Sequence, residues 1–253
     1  MRMRIIIGVN LVLAALLSLP ARADRRSFIR SYEFQTQPQG NLEFELWNEV
    51  EAPKGAGVGI ADAVITHRIE LEYGITDRWD SALYHVFQQG GLQSADAGER
   101  AFHFDSWRLE TRYRLAEKGE WPVDVMLYLE GERPSAFADP WELEEKVILE
   151  RDFGRLALVV NFVAEQKLAR GERGGHVWEV DAGVRYEVHP KLRLAAEIWG
   201  IQKVTPADSQ TALYAGPSVS VAVSRLWVQL GVGVGLNDAA SGFQLRSVLG
   251  FNL

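Results

Sequence analysis

Between residues 141 and 166 the chain reads WELEEKVILERDFGRLALVVNFVAEQ, and its apolar positions fall on no helical stripe. At period two they separate: Trp141, Leu143, Val147 and Leu149 share one face, and Glu142, Glu144, Lys146 and Glu150 the other. Asp152-Phe153-Gly154 interrupts, and the alternation resumes with Leu156, Leu158, Val160, Phe162 and Ala164. Strand side chains point alternately to opposite faces, so the stretch predicts a β-hairpin with one apolar and one charged side. The same reading predicts twelve strands, near residues 41–50, 64–75, 79–88, 102–116, 122–132, 141–151, 155–167, 177–188, 191–200, 212–223, 226–236 and 242–253. Most are longer than the about 5–6 residues usual in globular proteins, and match the about 9–11 that a tilted strand needs to cross a bilayer.

The connections alternate in kind. Thr76-Asp77-Arg78, Glu117 to Glu120, Asp152-Phe153-Gly154, His189-Pro190 and Ser224-Arg225 are tight. Those near 51–63, 89–101, 133–140, 168–176, 201–211 and 237–241 are longer and rich in small and polar residues. Tight turns at one end and longer loops at the other predict an all-β fold: a transmembrane, antiparallel, up-and-down β-barrel with short periplasmic turns and longer extracellular loops. Parity puts Tyr73, Tyr113 and Tyr186 on the apolar face beside tight turns, with Trp141, Trp178 and Phe243 at the opposite ends and Phe251 on the last strand. Two aromatic bands around an aliphatic belt suit the two bilayer interfaces.

Which side faces inward separates two readings. In a soluble sandwich the apolar faces form the core and the charged faces meet water. In a barrel Val123, Val125, Leu127 and Leu129 meet lipid, and the charged positions line a closed lumen. Strand 226–236 favours the barrel, because the face opposite its valines and leucines carries Trp227, Gln229, Gly231, Gly233 and Gly235. Small inward residues leave room for long ones from across a tube.

The N-terminus sets the compartment. Arg2 and Arg4 precede the apolar run Ile5 to Leu19, and Ala21-Arg22-Ala23 supplies a small-residue cleavage site, the layout of a secretory signal peptide. Residues 1–23 are therefore expected to be a cleaved leader, 24–40 a periplasmic N-terminal segment, and 41–253 the barrel. The formal charge of −7 becomes −10 once Arg2, Arg4 and Arg22 leave with the leader. That acidity excludes nucleic acid as a partner class, since phosphate binding relies on clustered Lys and Arg. Without cysteine there is no disulfide and no thiolate chemistry.

The signal peptide, the Tyr-Gly-Ile-Thr-Asp-Arg-Trp turn at 73–79 and the terminal LRSVLGFNL together resemble Gram-negative outer-membrane β-barrel proteins. In particular they resemble small barrels of the phenol-degradation meta-pathway-like kind. The resemblance implies residence in the bacterial outer membrane, with its lipid and the barrel assembly machinery as partners. Such proteins usually end in an aromatic residue that the machinery recognises; this chain ends in Leu253, with Phe251 two residues earlier.

The lumen set expected from parity is Arg68, Glu70, Glu72, Arg108, Glu110, Arg112, Glu142, Glu144, Lys146, Glu179, Asp181, Arg185, Arg193, Glu197 and Arg246. Such charges pair across a ladder and fill the interior, or form rings that select solutes. The expected function is a small channel or solute transporter with this charged lumen; the alternative is a closed structural or interaction barrel that contributes to envelope integrity or binds ligand through its outer loops. No cofactor, metal site or catalytic residue is expected. The histidines show no metal spacing, and no carboxylate pair stands apart from the rest. A lipid-facing hydrolase is the remaining enzymatic alternative.

Overall fold

A computed structural model describes residues 25–55, 62–90, 101–169, 175–205 and 208–253 of the protein. The expected leader, 1–23, lies outside the described residues, as do parts of four long loops. The strands are β1 (Leu42–Ala52), β2 (Val64–Thr76), β3 (Trp79–Gln89), β4 (His103–Arg114), β5 (Asp124–Pro134), β6 (Glu142–Phe153), β7 (Leu156–Lys167), β8 (His176–His189), β9 (Leu192–Val204), β10 (Ser209–Val223), β11 (Leu226–Gly235) and β12 (Phe243–Asn252). Each pairs antiparallel with its chain neighbours, and β1 closes on β12 from Glu43–Asn252 to Ala52–Phe243. Closure leaves no unpaired strand edge, which is what a sheet in hydrocarbon requires.

The burial pattern is inside-out relative to a soluble domain. Val180 and Ile198 are 49% and 51% exposed, while the neighbouring Asp181 and Glu197 are 1% and 5% exposed. The same inversion runs round the wall, from Leu71 and Leu109 to Val228 and Leu249. A soluble monomer rarely shows an apolar patch beyond a few hundred Å², so an apolar belt on every strand calls for a lipid neighbour. The sandwich reading ends here.

Strand bounds follow the alternation closely except at β9 and β10. These run on to Val204 and start at Ser209, where a loop over 201–211 was expected. Gln202, Lys203, Gln210 and Thr211 carry no apolar–polar alternation, yet their ladder continues. Backbone pairing persists beyond the depth at which side chains sort by polarity. The tight turns use left-handed backbone where they must: Gly154 has φ 66° and Ser224 has φ 60°.

The larger correction concerns the N-terminal segment. Expected in the periplasm, its stretch from Arg25 to Gln37 lies inside the barrel: Phe28, Ile29 and Phe34 are each at most 2% exposed. The small-residue wall makes room for it. A Cβ on Gly231 would overlap Ile29, and one on Gly183 would overlap the Phe28 ring. At the exit Gly74 lies under the Pro38 carbonyl, and Gly40 donates its N–H to the Gly74 carbonyl at 2.8 Å. The physical reason is polar satisfaction, because a charged lumen needs donors and the segment supplies them.

Candidate functional site

The lumen is built around this inserted segment. At the short-turn end Gln37 N–H donates to Asp80 at 2.8 Å and Gln39 N–H to Asp77 at 3.0 Å. Deeper in, Phe34 N–H donates to Glu150 at 2.6 Å. Asn161 then acts as a strand partner, accepting from Tyr32 N–H at 2.6 Å and donating to the Tyr32 carbonyl at 3.0 Å. At the top of the segment one carboxylate, Glu197, accepts from the N–H groups of Ile29, Arg30 (3.0 Å) and Ser31 (2.9 Å), and from the Ser31 hydroxyl at 3.1 Å. The chain then folds back, with Ser218 donating to the Ser27 carbonyl at 2.6 Å and Arg193 to the Arg25 carbonyl at 3.3 Å. The segment is thus an inward loop, fastened along both limbs.

The wall of β1 to β4 carries a carboxylate cluster around two guanidinium groups. Arg112 grips Asp80 at 3.0 and 2.7 Å, also contacts Glu72, and lies 3.2 Å from Glu110. Arg26, from the inserted loop, reaches Glu45 at 3.2 Å and Glu70 at 3.5 Å. Its guanidinium sits 4.6 Å from the ring centres of both Tyr32 and Trp47. Carboxylates outnumber cations here, and neutral donors hold the remainder: Trp47 donates to Glu70 at 2.8 Å, while Gln37 and Trp227 donate to Glu43. A buried charge without such partners is strongly destabilising.

Halfway up, cations from several strands converge. Arg30 forks onto Glu179 with two 2.5 Å bonds. Lys146 pairs with Glu144 at 2.9 Å and stands 4.0 Å from the centre of the Tyr32 ring and 4.3 Å from that of Tyr128. Arg108 spans Glu130 and Glu132 at 3.0 and 2.8 Å, and Arg68 and Arg246 share Glu49. The space left between them is about 40 Å³, room for one water. Towards the long-loop end the lumen widens into cavities of about 590 and 280 Å³, which share Arg30, Glu51 and Gln244 in their walls. The path is therefore a vestibule above a water-sized constriction whose floor is the inserted loop.

The expected lumen residues all face this interior. Arg68, Arg108, Glu144, Lys146, Glu179 and Arg246 line or brace the constriction, with Asp181 buried below Glu179. Glu70, Glu72, Glu110 and Arg112 form the cluster, and Glu197 and Arg193 hold the loop. Arg185 bridges Glu33 at 2.9 Å and Glu150 at 3.3 Å, and Glu142 pairs with Lys167 at the rim at 2.6 Å. On the outside, Tyr73, Tyr113, Trp141, Trp178, Tyr186 and Phe251 are well exposed, and Phe243 lies on the same face at the start of β12. Sequence reasoning missed Glu43, Glu45, Glu49 and Asp80, although Glu43, Glu45 and Glu49 alternate visibly along β1. It also missed Arg26, Arg30 and Tyr32, for which no periodic signal exists, and did not single out Asn161, although the alternation of β7 puts it on the polar face. Among the described residues no group of His, Asp and Glu is arranged to hold a metal ion.

No protein-family model matches the chain, and no curated protein matches it in sequence. Solved structures do. The COG4313 outer membrane channel from Pseudomonas putida F1 superposes with a TM-score of 0.62 at 13% identity, covering 89% of this chain and 100% of that one. The NanC porin gives 0.60 at 11% identity, covering 84% and 100%, and the KdgM porin 0.57 at 8%, covering 83% and 98%. At such identities the likeness is one of architecture, and it matches the resemblance expected from the turn and the terminal strand: the chain has the fold of the bacterial outer-membrane β-barrels.

Proposed function

We propose that the protein is an outer-membrane channel for small polar or amphipathic solutes, held closed in this conformation by its own N-terminal segment. The observation that carries the reading is the vestibule of about 590 Å³ ending on a loop fastened by reversible hydrogen bonds. A permanently filled lumen has no need of a wide entrance, and an inserted loop held to the wall by hydrogen bonds, ion pairs and apolar packing, with no covalent tie, can leave. The names of the similar structures, a channel and two porins, support the same reading. The charged groups at the constriction would then select solutes by charge.

The about 40 Å³ constriction favours a second reading, a closed barrel with a structural or interaction role. Planar-bilayer recording separates the two. The full chain is expected to give small or intermittent conductance steps, and a variant lacking residues 25–36 large, steady ones. If that variant folds, by heat-modifiable gel mobility, and still leaves the membrane silent, the closed-barrel reading stands.

A further inference from the structure

The outer wall holds one feature that the lumen does not explain. Glu145 lies on the lipid-facing side of β6, in register with Leu129 on β5 and Ala164 on β7. It is four residues along the strand from Trp141, so a strand tilt of about 40° puts it roughly 10 Å inside the outer aromatic band. Among the described residues it is the one acidic side chain on that face between the bands, and it is exposed there. Several other polar groups on the same face have partners: Asn48 meets His67 at 2.8 Å, Trp79 donates to Thr111 at 2.7 Å, and Ser81 donates to the Glu110 carbonyl at 2.6 Å. Among the described residues Glu145 has none. Arg133, a cation on this face, is committed to the carbonyls of Phe137 and Asp139.

The carboxylate opens into an apolar groove of about 900 Å³ that runs from Trp79 and Tyr113 at one band to Trp178 at the other. Ala164 and Thr111 keep its floor low, and Leu129 and Phe162 form its sides. An ionisable group at such depth is costly and marks a site whose partner can be named from its charge. A second copy of the chain fails as the occupant: a two-fold contact through this groove would bring two Glu145 carboxylates together with no cation between them.

We propose that the groove binds a single-chain amphiphile with an ammonium headgroup, the amine paired with Glu145 and the alkyl chain lying along the groove. An ion pair shielded from water satisfies the carboxylate, and the alkyl chain takes the place of loosely packed lipid. The inference rests on the reading that this wall faces the membrane.

Native mass spectrometry of the full chain in maltoside micelles tests it, with dodecylamine, dodecanol and dodecanoic acid as probes. Dodecylamine is expected to give a saturable one-to-one adduct with wild type, weakened at least about tenfold in Glu145→Gln. Ala164→Trp, which fills the groove and keeps the carboxylate, should weaken it too. Dodecanol and dodecanoic acid should bind less than the amine. Equal amine uptake by wild type and Glu145→Gln, or equal uptake of all three probes by wild type, would mean an ordinary detergent belt and would overturn the proposal. Failure of the membrane reading shows separately, as a chain that stays dispersed without any detergent.

Discussion

Glu197 offers the sharpest test of the inserted loop, because one side chain holds three consecutive backbone N–H groups and a hydroxyl. Replacing it with alanine leaves those donors facing a hole. Hydrogen bonds to a charged acceptor contribute about 1.5–3 kcal/mol each. Since all of them share one carboxylate, their loss is not additive, and about 3–5 kcal/mol is the appropriate scale for the whole set. That shifts the ratio of inserted to released loop by about two to three and a half orders of magnitude. Ile29 is 2% exposed when inserted, so an Ile29→Cys background reports release through its rate of maleimide labelling. The labelling rate is expected to rise by a comparable factor in Glu197→Ala, and by less in Glu197→Gln, which keeps one carbonyl acceptor. Single-channel recordings of the same variants should show open time rising in the same order. A Glu197→Ala protein that folds, labels no faster than its parent and conducts identically would refute the assignment of Glu197 as the loop's anchor.

Gly183→Leu should act like loss of the anchor, since any side chain there displaces the Phe28 ring; conductance should rise, whereas Gly200→Ala, whose Cβ meets only the flexible tip of Leu213 at 3.1 Å, should leave it unchanged. Arg112→Met strips Glu72, Asp80 and Glu110 of their shared cation and is expected to lower stability by about 3–5 kcal/mol, read as a lower urea midpoint for the folded band in vesicles. Lys118, in the tight turn between β4 and β5, reaches Glu150 at 2.8 Å and Asp152 at 3.0 Å. Burial disfavours its charge, but Glu150 and then Asp152 outweigh that and raise its pKa above the usual 10.5. A raised lysine stabilises fully below its unfolded value, and the contribution fades as pH climbs through the folded one. Lys118→Met should therefore lower the heat-modification temperature equally at pH 6 and 9, with the gap to wild type closing only above pH 10.5.

Much of the architecture was legible in residue order because it depends on local pattern. A strand such as β11 declares itself through Leu226, Val228, Leu230, Val232 and Val234 against Trp227, Gln229 and three glycines, and no distant residue is needed to see it. The two faces, the aromatic bands, the alternation of turn lengths and the inward direction of Arg108, Glu110 and Arg112 were readable for the same reason. The path of the N-terminal segment was not. Arg25 to Gln37 has no period, and its partners, Asn161, Glu179 and Glu197, lie well over a hundred residues away. The glycines opposite them looked like spare room in the wall, and only the folded tube shows Phe28 and Ile29 filling it. Glu145 was passed over in the alternation of its strand, and its place on the lipid side without a partner becomes visible only once Leu129 and Ala164 are seen beside it. Periodicity determines which way a side chain points, because that is a property of one strand; what it meets depends on closure of the barrel, which brings together residues whose separation along the chain carries no signal.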